Sequence, residues 1–293
     1  MLDLQNVTKT FGNVKALDDL TMTVPRGAVY GLVGPNGAGK STAIRCLLGV
    51  YRPDCGTVTL DGAPVYENPV AKARIGSIPD DIFYFPSATM EDMRKFYQGI
   101  YPKFDQALYY KLFEAFDLPK KAPLRRFSKG MQKQAAFHLT LCTRPEVLVL
   151  DEPVDGLDPV MRRQVWSLIL SEVAKEETTV LISSHNLREL EDICDHVGIM
   201  DHGRMLLQRS LADMQGATHK LQLVGNIPEG LEILHQNQSG RLTTLIVRGK
   251  AEDIAAKARA AQCVYFDVLP LSLEEIFIYE LGGVNYEVKN IVL

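Results

Sequence analysis

The sequence predicts an α/β fold built on a parallel sheet, and three observations carry that expectation. Short apolar runs alternate with helix-like segments through the middle of the chain, in the order 129–142, 147–150, 161–174, 179–183, 187–192 and 196–200. Such strand-helix alternation produces a parallel sheet covered on both faces. Second, Gly34-Pro35-Asn36-Gly37-Ala38-Gly39-Lys40-Ser41-Thr42 fits G-x-x-x-x-G-K-[ST] between the apolar run 28–33 and the helix-like run 42–48. Third, the chain turns polar around 211–219 and then starts a second rhythm of strands and helices.

The elements follow in order. Residues 1 to about 65 hold short β-rich runs separated by turns: 2–4, 20–24, 28–33 and 57–60, the last closing on Asp61-Gly62. These form a strand-rich edge on the core. From 86 to 127 the pattern becomes helical, with Met93, Phe96, Tyr97, Tyr101, Leu108, Leu112, Phe113 and Phe116 on a charged background, a stripe most of which reads as core-facing. Beyond residue 216, strand-like 220–224 and 242–248 precede helix-like 251–262, strand-like 263–268 and a last helix at 272–281. The expected organisation is a phosphate-loop nucleotide-binding core over 1–216, its helical subdomain about 86–140, and a small α+β appendage over 217–293.

Composition narrows the function. With 293 residues and 46% hydrophobic content the chain can bury a substantial core. Its net charge of −4 offers no broad footprint for nucleic acid. No segment approaches the roughly 18 apolar residues that span a bilayer, and the N-terminus lacks the basic-then-apolar pattern of a leader. The cysteines at 46, 55, 142, 194 and 263 are scattered, without metal-ligand spacing, which fits a reducing compartment.

The chemistry begins at the loop 34–42. Glycines permit turns in which successive amides face polyphosphate oxygens, and the following helix N-terminus adds positive potential. A nucleoside triphosphate is the expected ligand. Lys40 supplies charge for the β- and γ-phosphates, and Ser41 a hydroxyl for Mg²⁺. The strand 147–150 ends in Asp151-Glu152, where a parallel sheet presents its C-terminal edge. Asp151 is placed to hold Mg²⁺ and Glu152 to deprotonate the attacking water.

Phosphate loop, Leu124-Arg125-Arg126-Phe127-Ser128-Lys129-Gly130-Met131-Gln132, 147–152, Gly156-Leu157-Asp158-Pro159 and Ser183-Ser184-His185 together resemble the ATP-binding subunit of ABC transporters over residues 1 to about 215. The resemblance implies an ATP hydrolase using ATP and Mg²⁺, with two ATP-binding subunits paired head to tail as a homodimer or a heterodimer. Each ATP is then held by one phosphate loop and, in trans, by Ser128, Lys129 and Gly130 of the other copy. Lys129 and Met131 depart from the usual L-S-G-G-Q. His185 is implied to meet the γ-phosphate and to position Glu152 and the water, Asp158 to cross the dimer interface, and Phe11 to stack on adenine. Asp80 stands where the family has a glutamine near Mg²⁺, with Asp81 a competing candidate. The helical stretch 86–127 is implied to dock a separate transmembrane permease, which places the chain in the cytoplasm on the inner face of the membrane. The 273–277 stretch resembles the C-terminal tail of exporter ATPases, favouring export. The alternatives are a soluble ATPase of this type acting on ribosomes or DNA, disfavoured by the single phosphate loop and the lack of sustained heptads, and an ATP-binding regulatory module without turnover.

Overall fold

The computed structural model describes residues 1–116, 118–176 and 178–276. The chain divides into two compact units, one formed by Met1–His185 with Gly198–Gln208, the other by Asn186–Val197 with the chain from Arg209 on.

The first unit opens with the long strands β1 (Leu2–Phe11) and β2 (Val14–Val24). They join β4 (Cys55–Leu60) and β5 (Ala63–Pro64) in a four-stranded sheet of order β2-β1-β4-β5 with antiparallel pairing throughout. The expected runs 2–4 and 20–24 are therefore parts of one hairpin. Their extent escapes a hydrophobicity count because the far end carries Lys9, Thr10, Val14 and Lys15 outside the core.

The central sheet has the order β10-β9-β3-β8-β7-β6, from β3 (Val29–Val33), β6 (Ile75–Ile78), β7 (Val147–Asp151), β8 (Thr179–Ser184), β9 (His196–Asp201) and β10 (Arg204–Ser210). The pairs β3/β8, β7/β8 and β6/β7 are parallel. Residues of β3, β7 and β8 are buried throughout, which explains their continuous apolar runs. Register decides where the chemistry falls: Val33 pairs with Ser184 and Asp151 with Ser183, so three strands end level. Helix α1 (Lys40–Leu47) follows β3, and the single-turn α2 (Pro69–Lys72) precedes β6.

The helical subdomain holds α3 (Met90–Ile100), α4 (Gln106–Phe116), a 3-10 turn (Leu124–Arg126) and α5 (Lys129–Leu141). Thr89 and Asp92 cap α3 reciprocally, each side chain bonding the other's backbone amide. Of the expected core stripe, Met93, Leu108 and Leu112 are buried, whereas Phe96 is exposed. His138 lies fully buried beside the rings of Tyr109, Phe113 and Phe116, its Nε2 2.7 Å from the Tyr109 carbonyl. Its Nδ1 meets no hydrogen-bond partner among the described residues. Burial holds its pKa down at about 4. Between about pH 6.5 and 4 the unfolded chain takes up a proton that the folded core refuses, so stability falls as pH falls through that window. The loss amounts to about 3 kcal/mol, and His138→Phe should flatten the dependence of the urea midpoint on pH between 7 and 4.5.

α6 (Pro159–Glu176) links β7 to β8. In the second unit, α7 (Arg188–Glu191) precedes β9, and α8 (Leu211–Ala217) leads to a sheet of order β12-β13-β11-β14. Its strands are β11 (Thr218–Val224), β12 (Glu232–Ser239), β13 (Leu242–Arg248) and β14 (Tyr265–Pro270), all antiparallel. Helix α9 (Ala251–Ala260) places Ile254 and Ala258 on a core of Leu221, Leu223, Leu245 and Val247. Strand β12 is absent from the sequence expectation because all its residues are exposed, so no apolar alternation marks it. Residues 273–276 of the expected last helix are helical, and its second half, from Phe277 on, lies outside the described residues.

Candidate functional site

The level ends of β3, β7 and β8 set the site. The loop 34–39 leaves β3 and enters α1 through Gly39, whose φ of 101° is open to glycine alone among ordinary choices. A Cβ at Gly34 would collide with the Met200 carbonyl oxygen, and one at Gly39 would stand 2.6 Å from that of Ala16. No side chain caps α1 at Gly39, so its first amides point outward for an anion.

These residues line a cleft of about 500 Å³ that contains the whole run Pro35–Thr42 together with Val14, Lys15, Ala16, Asp80, Glu152, His202 and Gly203. Lys40 is buried, its Nζ donating to the Gly34 carbonyl at 2.6 Å and lying 3.6 Å from Oε1 of Glu152. Burial draws its pKa below the usual lysine value, with Glu152 opposing. A buried cation at the phosphate loop, with the carboxylates of Glu152 and Asp151 acting on it, is primed for phosphate.

Asp151 ends β7 with Oδ1 3.5 Å from Ser41 Oγ and accepting a 2.5 Å hydrogen bond from Ser183 Oγ. Two hard oxygens from separate elements meet here beside the phosphate loop. That donor set fits Mg²⁺, which takes one or two protein oxygens and keeps the rest of its shell for water and phosphate. Glu152 has φ 47°, a left-handed angle that is strained for a side chain of this type. Its N–H donates to Ser183 Oγ at 3.0 Å, and its Oε2 lies 2.9 Å from Nδ1 of His185. A candidate base is thus oriented by a histidine, and its backbone by a serine.

Several expected residues lie elsewhere. Ser128 caps α5, its Oγ accepting from Met131 N at 3.3 Å; Ser128 and Lys129 are exposed. Asp158 caps α6 by accepting from Val160 and Met161 amides, each at 3.0 Å. Phe11 is not among the residues lining the cleft; its ring stands edge-on to Tyr51 with centroids 5.2 Å apart. The hairpin it closes supplies Val14, Lys15 and Ala16 to the cleft wall. Asp80 lines the cleft with its carboxylate 3.8 Å from Lys133. Ser183 stands in the Ser-Ser-His run, yet its bonds to Asp151 at the end of β7 and to Glu152 just after it become legible only from the strand register.

Comparison with known proteins agrees with this geometry. The family described as "ABC transporter" matches residues 17–155. The "ABC transporter ATP-binding protein YtrB" of Bacillus subtilis is 30% identical over 288 residues, covering 97% of this chain and 99% of that protein. A "Nod factor export ATP-binding protein I" of Burkholderia lata is 32% identical over 296 residues, covering 96% of this chain and 97% of its own length. Among solved structures, one described as "Structure of ATP binding subunit of ABC transporter" superposes with a TM-score of 0.67 at 26% identity, covering 73% of this chain and 92% of the other.

Proposed function

The chain belongs to the ABC transporter family as one of its ATP-binding, ATP-hydrolysing subunits, and from that premise we propose that it powers export through a separate membrane permease. The observation that carries the reading is the convergence of Lys40, Ser41, Asp151, Glu152 and His185 at one sheet edge. Relatives named for export, matched along nearly their whole length, support the direction.

In this reading the α1 amides and Lys40 take the β- and γ-phosphates, and adenine lies toward the Phe11 hairpin. Mg²⁺ would be held by Ser41 and Asp151, with Asp80 at the cleft wall, and would neutralise phosphate charge. Glu152 accepts a proton from the water that attacks the γ-phosphorus, the bond to the β-phosphate oxygen breaks, and ADP and phosphate result. His185 keeps the Glu152 carboxylate aimed. Ser128, Lys129 and Gly130 of a second ATP-binding subunit, identical or related, cover the phosphate in trans, with Asp158 at the seam. We assign this machinery to residues 1–216 and an accessory role to 217–293.

Among the described residues no helix is long and apolar enough to cross a membrane. The helical subdomain and the segment leading into it instead offer Phe83, Phe85 and Phe96, exposed at 73%, 47% and 44% and stacked edge to face. We place the permease contact there, which sets the subunit on the inner membrane face. A tagged chain purified from solubilised membranes should bring down a polytopic partner. Phe96→Glu should lose that partner while retaining ATP affinity, and retention of the partner at wild-type yield would move the contact elsewhere.

A further inference from the structure

Lys133 sits early in α5, the helix that Ser128 opens, and is only 6% exposed. Lysines on helices normally carry their ammonium to water. This one turns inward. Its Nζ donates to the carbonyl of Glu152 at 2.8 Å and to that of Asp155 at 3.0 Å, and lies 3.8 Å from Oδ1 of Asp80. Burial draws its pKa below the ordinary lysine value, and Asp80, Asp155 and Glu152 draw it back.

Each partner belongs to a segment already placed at the site. Asp80 lines the cleft, Glu152 is the base, and Asp155 lies in the turn that leads to Asp158. The Glu152 backbone is also the strained one, and both its polar groups are clamped: Ser183 takes the N–H and Lys133 takes the carbonyl. A left-handed residue persists only where its surroundings fix it, and here Ser183 and the Asp155 amide, 3.3 Å from the Glu152 carbonyl, are joined by a cation on the helix that Ser128 opens.

We propose that Lys133 is a positioning residue for ATP hydrolysis: it locks the Glu152 peptide so that the carboxylate faces the cleft, and it links that aim to Asp80 and to the helix led by Ser128. The inference rests on the reading of Glu152 as the base. Asp80 then serves as counter-ion to a buried ammonium, a task that needs a carboxylate and accounts for an acid where the resemblance expects a glutamine.

Lys133→Met keeps the stem and removes the donor. Steady-state hydrolysis should show kcat lower by about tenfold or more with KM for ATP within about twofold, since misaiming a base costs turnover rather than binding. Lys133→Arg should recover much of the loss. Asp80→Asn, at an exposed position that does not threaten folding, should lower kcat about threefold alone and add nothing in the Lys133→Met background. Wild-type kcat in a folded Lys133→Met variant overturns the proposal, as does an Asp80→Asn effect that multiplies independently with that of Lys133→Met. Should Lys133→Met fail to fold, an unchanged kcat in Asp80→Asn is the overturning result. Glu152→Gln measured alongside separates the two readings: if it hydrolyses normally, the base assignment fails, whereas its inactivity beside a normal Lys133→Met sinks only the role of the lysine.

Discussion

Glu152→Gln should lower kcat for ATP hydrolysis by about a hundredfold or more while leaving ATP bound. The substitution keeps the shape and the hydrogen-bonding reach toward His185 Nδ1, 2.9 Å from the carboxylate, but replaces a basic carboxylate with an amide too weakly basic to take the proton from water. Positioned general bases contribute roughly 10²–10⁴ in rate, which sets the expected size. Lys40, 3.6 Å from the Glu152 carboxylate, loses a competing anion and is free to commit to phosphate, so nucleotide affinity should hold or rise. Phosphate release under saturating MgATP, with bound nucleotide counted in parallel, checks both halves. A variant within threefold of wild type would remove Glu152 from the chemistry and leave the base to another group.

Ser128→Arg should lower ATPase activity by a comparable factor through a different route. Ser128 is not among the residues lining the cleft of its own chain; its hydroxyl caps α5 at an exposed helix tip. Losing the cap costs about 1 kcal/mol of stability, small beside the loss expected in rate. If the helix tip covers phosphate in a second subunit, a bulky cation there breaks the sandwich and forfeits a preorganised donor worth roughly 10²–10³ in rate. Monomeric ATP binding should stay intact, measurable by titration with a fluorescent ATP analogue. Normal hydrolysis in this variant would show that the cleft works alone.

The sequence carried most of the site because its residues are bound to motifs whose spacing the chemistry imposes. The phosphate loop, Asp151, Glu152 and His185 lie close to strand ends, so a correct strand order brings them together without further information. Lys133 was not legible: a lysine amid Gln132 and Gln134 reads as a solvated helix face, and only the fold turns it toward Glu152. Phe96 is an exception within the helical stripe, for an aromatic at that spacing more often packs in the core, while α3 leaves it outside. Strand β12 escaped because pairing with β13, not burial, holds it. Hydrophobic pattern reports what is buried, and these cases are decided by pairing or by buried polar contacts instead.

The seam between two subunits is the most direct place to test the whole account. Sedimentation of the Glu152→Gln protein should give a monomer without nucleotide and a dimer with saturating MgATP, and the added Ser128→Arg should restore the monomer. A Glu152→Gln protein that remains monomeric at every concentration of MgATP, with nucleotide demonstrably bound, would contradict it.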